Sequence, residues 1–249
     1  MIEPLLRVSG LVKRFGGLVA TDNLDLDVLP GEVHALIGPN GAGKTTAISQ
    51  LSGEQRQNAG TIHFDGHEIS DLSTPERVRR GLARSFQITQ VLPDYTALEN
   101  VALAVQAQLG HSFHFFRNAR KEAELNEPAA KYLADVGLAA RSDVRVADLA
   151  HGEQRQLELA MALATKPRLL LLDEPMAGMG ATESHEVTSV LLGLKGRITM
   201  LLVEHDMEAV FALADRISVL VYGRCIATGT PDEIRSNADV KVAYLGEEA

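Results

Sequence analysis

The sequence predicts an α/β fold, in which parallel β-α-β units form a core that follows a strand-rich N-terminal portion and is interrupted by an α-helical insert. Three observations predict it. The apolar run Val33 to Ile37 opens directly onto a glycine-rich loop that leads into a helical stretch. From about Ala97 the texture changes, with Leu98, Val101, Ala102, Val105 and Leu109 recurring at helical spacing. After Asp148 apolar strands again alternate with helical segments, the pattern of parallel β-α-β units.

In chain order, the opening third holds the apolar runs Leu5 to Val8, Leu24 to Val28, Val33 to Ile37 and Thr61 to Phe64. They read as strands, partly antiparallel. Asp65-Gly66 suits the left-handed conformations of a two-residue hairpin turn. The stretch from Ala97 through Leu138, dominated by Ala, Glu and Lys, reads as the insert. A helix over Gln156 to Ala164, a strand over Leu169 to Leu172, a helix after Ala181 and a strand over Ile198 to Val203 follow. Ile217 to Val221, Tyr222-Gly223 and Cys225 to Thr228 suggest a closing hairpin. The expected division is therefore 1–87 for the β-rich part and first portion of the core, 88–150 for the insert, and 151–249 for the remaining core and the C-terminal hairpin and helix.

A length of 249 residues fits one large domain or one domain with an insert. Lys plus Arg is 24 against 33 Asp plus Glu, a formal charge of −9, which argues against a broad nucleic-acid footprint. With 45% hydrophobic and 23% charged residues, a substantial core is expected. No run approaches the roughly 18 apolar residues of a membrane span, and the N-terminus lacks the charged and apolar regions of a secretory signal, so a cytoplasmic location is the expectation. Cys225 is the only cysteine, which excludes an internal disulfide and a Cys-based zinc site; it reads as a small core hydrophobe.

The strongest chemical signal is Gly38-Pro39-Asn40-Gly41-Ala42-Gly43-Lys44-Thr45-Thr46, a phosphate loop in its required strand-loop-helix context. Glycines let consecutive backbone N–H groups turn inward around phosphates, and the following helix points its positive end at them. Lys44 would reach the β and γ phosphates, Thr45 would offer its hydroxyl to Mg²⁺, and Thr46 is placed for the α phosphate. The run Leu169 to Leu172 ends in Asp173-Glu174, carboxylates delivered to the sheet edge where ligands bind. Asp173 would hold Mg²⁺ through water, and Glu174 would orient and help deprotonate an attacking water. Parallel topology brings His205, after Ile198 to Val203, to the same edge as a candidate γ-phosphate contact. Gln87 is either a Mg²⁺ ligand or a turn cap, and spacing alone does not decide. His111 and His114 lie in an aromatic cluster of the insert that lacks further ligands, so packing of the insert or an apolar interaction surface is the better reading. The run Arg77, Arg79, Arg80 and Arg84 reads as a solvated face.

Together these residues resemble the ATP-binding subunit of an ABC transporter over essentially the whole chain. The resemblance implies a P-loop (RecA-like) ATPase core with an N-terminal antiparallel β subdomain and an inserted α-helical subdomain, forming a single ATPase domain over 1–249. It implies ATP and Mg²⁺ as cofactors, Phe15 as the aromatic on which adenine stacks, and Gln87 at the Mg²⁺ site. The family signature reads Leu149-Ala150-His151-Gly152-Glu153-Gln154-Arg155, with Ala150 in place of Ser and His151 in place of Gly. Ala150, His151, Gly152 and Glu153 would meet the nucleotide of a partner subunit, with backbone N–H groups standing in for the absent hydroxyl. Gly180 stands where the family's loop usually ends in Asp. The segments Glu174 to Gly180, Glu204-His205-Asp206-Met207 and Gly229 to Gly246 resemble the branched-chain amino acid importer branch. Implied partners are polytopic permeases, a second ATPase subunit in a heterodimer or homodimer, and indirectly a solute-binding protein, at the cytoplasmic face of the membrane. A urea or short-amide importer, a lipid or polysaccharide exporter, and a soluble P-loop ATPase acting on nucleic acid or protein assembly are the alternatives; the charge of −9 stands against nucleic acid.

Overall fold

A computed structural model describes residues 2–85, 91–109 and 123–245. Gln87 and the cluster around His111 and His114 lie outside the described residues. The N-terminal strands β1 (Leu6–Phe15) and β2 (Leu18–Val28) form a long antiparallel hairpin, each longer than its apolar run because polar residues alternate outward on the solvent side. Strand β3 (Val33–Ile37) is fully buried, and its loop leads into α1 (Lys44–Ser52). Strands β4 (Ala59–Phe64) and β5 (His67–Glu68) pair across Asp65-Gly66, whose φ angles of 53° and 73° are those of the expected turn. Helix α2 (Thr74–Arg79) begins at a Ser73–Glu76 capping box and precedes β6 (Leu82–Ser85).

The insert is built from α3 (Ala97–Leu109) and α4 (Ala123–Asp135), which pack on α5 (His151–Ala164). The core resumes with β7 (Leu169–Asp173), α6 (Ala181–Leu194), β8 (Thr199–Val203) and α7 (Met207–Leu213). It closes with β9 (Arg216–Val221), β10 (Arg224–Gly229) and α8 (Pro231–Ser236). Helix α5 starts five residues before the apolar periodicity does, because Glu153 reaches back to the Ala150 amide at 2.9 Å and satisfies one orphan donor of the first turn.

Two sheets result. The antiparallel one runs β2-β1-β4-β5; the other runs β10-β9-β3-β8-β7-β6 and is parallel except for β10. The alternating side chains of β7 explain its unbroken apolar run: Leu169 and Leu171 face the core under the antiparallel sheet and α1, while Leu170 and Leu172 face the core formed with the insert and α6. In β8, Leu201 and Val203 share the first core, Met200 and Leu202 the second. β7 and β8, buried on both faces, carry their polar side chains at their ends. Among the described residues no helix is long and apolar enough to cross a membrane.

The arginine run is not a solvated face. Only Arg79 and Arg80 are exposed. Arg77 is buried and donates to the carbonyls of Gln50 and Leu51 at 2.8 and 2.7 Å, and to those of Ser70 and Leu72 at 3.0 Å each. It thereby satisfies two of the carbonyls at the C-terminus of α1 that have no partner further along the helix.

Candidate active site

Parallel register delivers the functional segments to one edge. β3, β8, β7 and β6 run side by side in the same direction, so the loop after Ile37, the pair Asp173-Glu174, the triplet after Val203 and the residue Ser85 all emerge at their carboxyl ends. The Glu174 amide donates to the Val203 carbonyl at 2.9 Å and locks two of these exits together.

The loop is shaped by backbone crowding. At Gly38, φ 153°, a Cβ would lie 2.0 Å from the Leu220 carbonyl oxygen; at Gly43, φ 103°, it would lie 2.1 Å from that of Ala20. No side chain fits at either position. The turn after β9 is stitched to the same loop, since the Gly223 amide donates to the Ala42 carbonyl at 2.9 Å. Asn40, Gly41 and Thr45 are exposed, and Pro39 and Thr46 are half-buried. Lys44 is buried at the start of α1, its Nζ donating to the carbonyls of Gly38 at 2.7 Å and Pro39 at 3.1 Å. Burial lowers its pKa, and the nearby charges of Glu174 and Asp173 oppose that shift.

Asp173 is 1% exposed, and burial raises its pKa against the opposing pull of Arg84. Arg84 donates to Asp173 Oδ2 at 2.8 Å and to Glu54 Oε2 at 2.6 Å, and reaches the hydroxyl of Ser49 at 3.2 Å. Asp173 Oδ1 is buried without a hydrogen-bond partner. That orphaned acceptor, with the Thr45 hydroxyl exposed in the first turn of α1, is a donor set that fits a hydrated Mg²⁺. Among the described residues no group of three His, Cys, Asp or Glu could hold a metal ion.

Glu174 sits at φ 49°, a left-handed conformation uncommon for a side chain of its size and one that clusters at functional sites. His205 is 61% exposed, with Nδ1 3.6 Å from Glu204 Oε2. Phe15 lies at the end of β1, half exposed, with the Lys13 ammonium 5.2 Å from its ring centre, so it is not a core residue.

The signature segment makes its contacts away from the loop: Glu153 is held by Arg141 at 2.8 Å, and Gly152 packs against Glu183 of α6. Ala150 and His151 are exposed at the start of α5. Both unusual residues, Ala150 and Gly180, occupy helix N-caps where a Glu three residues on accepts the cap amide, but neither has a side-chain oxygen to return the bond. Sequence reasoning missed Arg84 and Glu204. A carboxylate directly after the largely apolar run that ends at Val203 was the available signal for Glu204, and no local pattern marked Arg84.

The profile of the ABC transporter family matches residues 21–177, well over half of the chain. The chain belongs to the ABC transporter family. This ABC protein also matches, over residues 224–249, the profile described as branched-chain amino acid ATP-binding cassette transporter. It is 41% identical to the high-affinity branched-chain amino acid transport ATP-binding protein BraF of Pseudomonas aeruginosa, covering 99% of this chain and 100% of that one. Against the corresponding protein LivG of Escherichia coli the identity is 40%, with the same coverage. Among solved structures, the ADP conformation of an ATP-binding cassette of an ABC transporter superposes with a TM-score of 0.85 at 30% identity, covering 98% of this chain and 99% of that one. As a member of this family the ABC protein binds nucleotide and is an ATPase.

Proposed function

We propose that the chain is the ATP-hydrolysing motor subunit of an importer for branched-chain amino acids, working at the cytoplasmic face of the membrane. What supports the catalytic part is the convergence of the phosphate loop, Asp173-Glu174 and His205 at one sheet edge, tied by the 2.9 Å bond between the Glu174 amide and the Val203 carbonyl. The loop amides from Gly38 to Lys44, except at Pro39, which has no N–H, cradle the phosphates, Lys44 exchanges its two loop carbonyls for β- and γ-phosphate oxygens, and Thr46 meets the α phosphate. Thr45 and Asp173, with Gln87, would hold Mg²⁺, which would supply positive charge against the transferring phosphoryl group. Glu174 takes a proton from the water that attacks the γ phosphorus, and ADP leaves as that bond to the β-γ bridging oxygen breaks. His205 donates to the γ phosphate. Phe15 offers its half-exposed ring to adenine.

The solute assignment draws on the names of the full-length relatives and on the profile over residues 224–249, since no residue of a motor subunit need touch the cargo. Permeases and a solute-binding protein complete the importer. Ala150 to Glu153 face the nucleotide of a second subunit. Because Ala150 lacks a hydroxyl and Gly180 a carboxylate, the second subunit is a distinct ATPase with those groups in place.

Glu174→Gln tests the core of this reading. The amide keeps the shape but accepts no proton, so phosphate release should fall by about 10² to 10⁴ while ATP still binds. Turnover near the wild-type rate would remove the base from Glu174.

A further inference from the structure

We propose that Glu204 is a positioning residue that ties the loop carrying Glu174 to the loop carrying His205, so that the two approach the γ phosphate as one unit; this rests on the roles given above to Glu174 and His205. Glu204 is 1% exposed, a carboxylate directly after the wholly buried β8. Its Oε1 accepts from the amide of Met176, two residues beyond Glu174, at 3.0 Å. Its Oε2 accepts from the amide of His205 at 3.0 Å and that of Asp206 at 3.4 Å, and lies 3.6 Å from His205 Nδ1.

Burying a carboxylate is costly unless its oxygens are well paired, and here the pairing consists of backbone amides from two loops that leave adjacent strands. A carboxylate presents acceptors on both oxygens, whereas Gln presents one oxygen and an NH₂ that would oppose an N–H. Met176 is also pinned through its side chain, buried in the insert-side core, so its amide is a fixed post rather than a loose end. Asp206 in turn caps α7, its Oδ1 accepting from the amides of Glu208 at 3.0 Å and Ala209 at 3.3 Å. A displacement of His205 is therefore passed through one side chain to the segment that holds Glu174 in its left-handed conformation.

Glu204→Asp separates bridging from local structure. It keeps the charge and the neighbouring amides of His205 and Asp206 but falls short of Met176. In the purified full chain, kcat for ATP hydrolysis should fall about 10-fold to 100-fold with KM for ATP within about twofold, the pattern of a misplaced group rather than lost binding. The Met176 amide should exchange its hydrogen faster than in the wild type. An unchanged kcat, or a loss confined to KM, overturns the inference. So does failure of both Glu204→Asp and Glu204→Gln to fold, which would assign Glu204 to stability alone. Glu174→Gln run in parallel separates the two levels: if it retains turnover the underlying reading fails, and if it is inactive while Glu204→Asp is fully active only the inference fails.

Discussion

Arg84 shows how a single side chain departs from its sequence context. A short run of arginines near a helix end is ordinarily a solvent face, yet the Arg84 side chain is 8% exposed and its guanidinium is shared between Asp173, Glu54 and Ser49. Its planar fork serves several acceptors at once, which Lys cannot copy. Arg84→Met leaves Asp173 as a buried carboxylate without its counter-charge, a change worth about 3 to 5 kcal/mol. Urea denaturation should register that loss, and a shift under about 1 kcal/mol would show the pair to be uncoupled. Arg77 makes a similar point with backbone acceptors: burial lowers its pKa to about 10, and its guanidinium is held in place by hydrogen bonds to the carbonyls of Gln50 and Leu51.

The join between β3 and β9 depends on buried polar contacts as well as ladder bonds. Glu32 Oε1 accepts from the Leu29 amide at 2.7 Å and lies 3.1 Å from His34 Nδ1, while His34 Nε2 meets the Ser218 hydroxyl at 2.8 Å. Arg216 adds its charge at 3.3 Å. Burial alone would raise the Glu32 pKa, but His34, the Leu29 amide and Arg216 together hold it below the usual carboxylate value. The folded state thus binds this proton less tightly than the unfolded chain does. The stabilisation is present above the ordinary carboxylate pKa and is lost as pH falls through the lowered value. Thermal melting of wild type against Glu32→Gln should therefore differ most near neutral pH, with the gap closing below about pH 4. A gap that stays constant with pH would place the effect in packing.

For the whole molecule, the features that matter sit on two surfaces: the phosphate loop with Glu174 and His205 at the sheet edge, and the Ala150 to Glu153 segment at the start of α5. A second cassette placed against these surfaces would give each nucleotide both halves of a site. With the permeases in liposomes, this subunit together with a distinct partner ATPase should outpace this subunit alone in ATP-driven uptake. Each hydrogen bond missing from a homodimer is worth only about 0.5 to 3 kcal/mol, so the homodimer should be slow rather than dead. Equal uptake by this subunit alone would end the case for a distinct partner.

The sequence by itself determined the α/β class, the phosphate loop, the paired carboxylates after β7 and the hairpin at Asp65-Gly66, because each is a local pattern: alternation, glycine spacing or an apolar run with a polar end. It also marked β3, β7 and β8 by runs that are mostly apolar, broken only by His34 and Thr199 and ended by Asp173, since strands buried on both faces have no solvent side to impose alternation. It did not mark β6, whose four residues include Arg84 and Ser85 and which is a strand only because it pairs in register with Leu169 to Leu172. Tertiary structure alone decided that Arg84 meets Asp173, 89 residues away, and that Glu204 meets the Met176 amide, 28 residues away. A buried charge is tolerated only where distant partners converge on it, and nothing in the neighbouring residues records where those partners are.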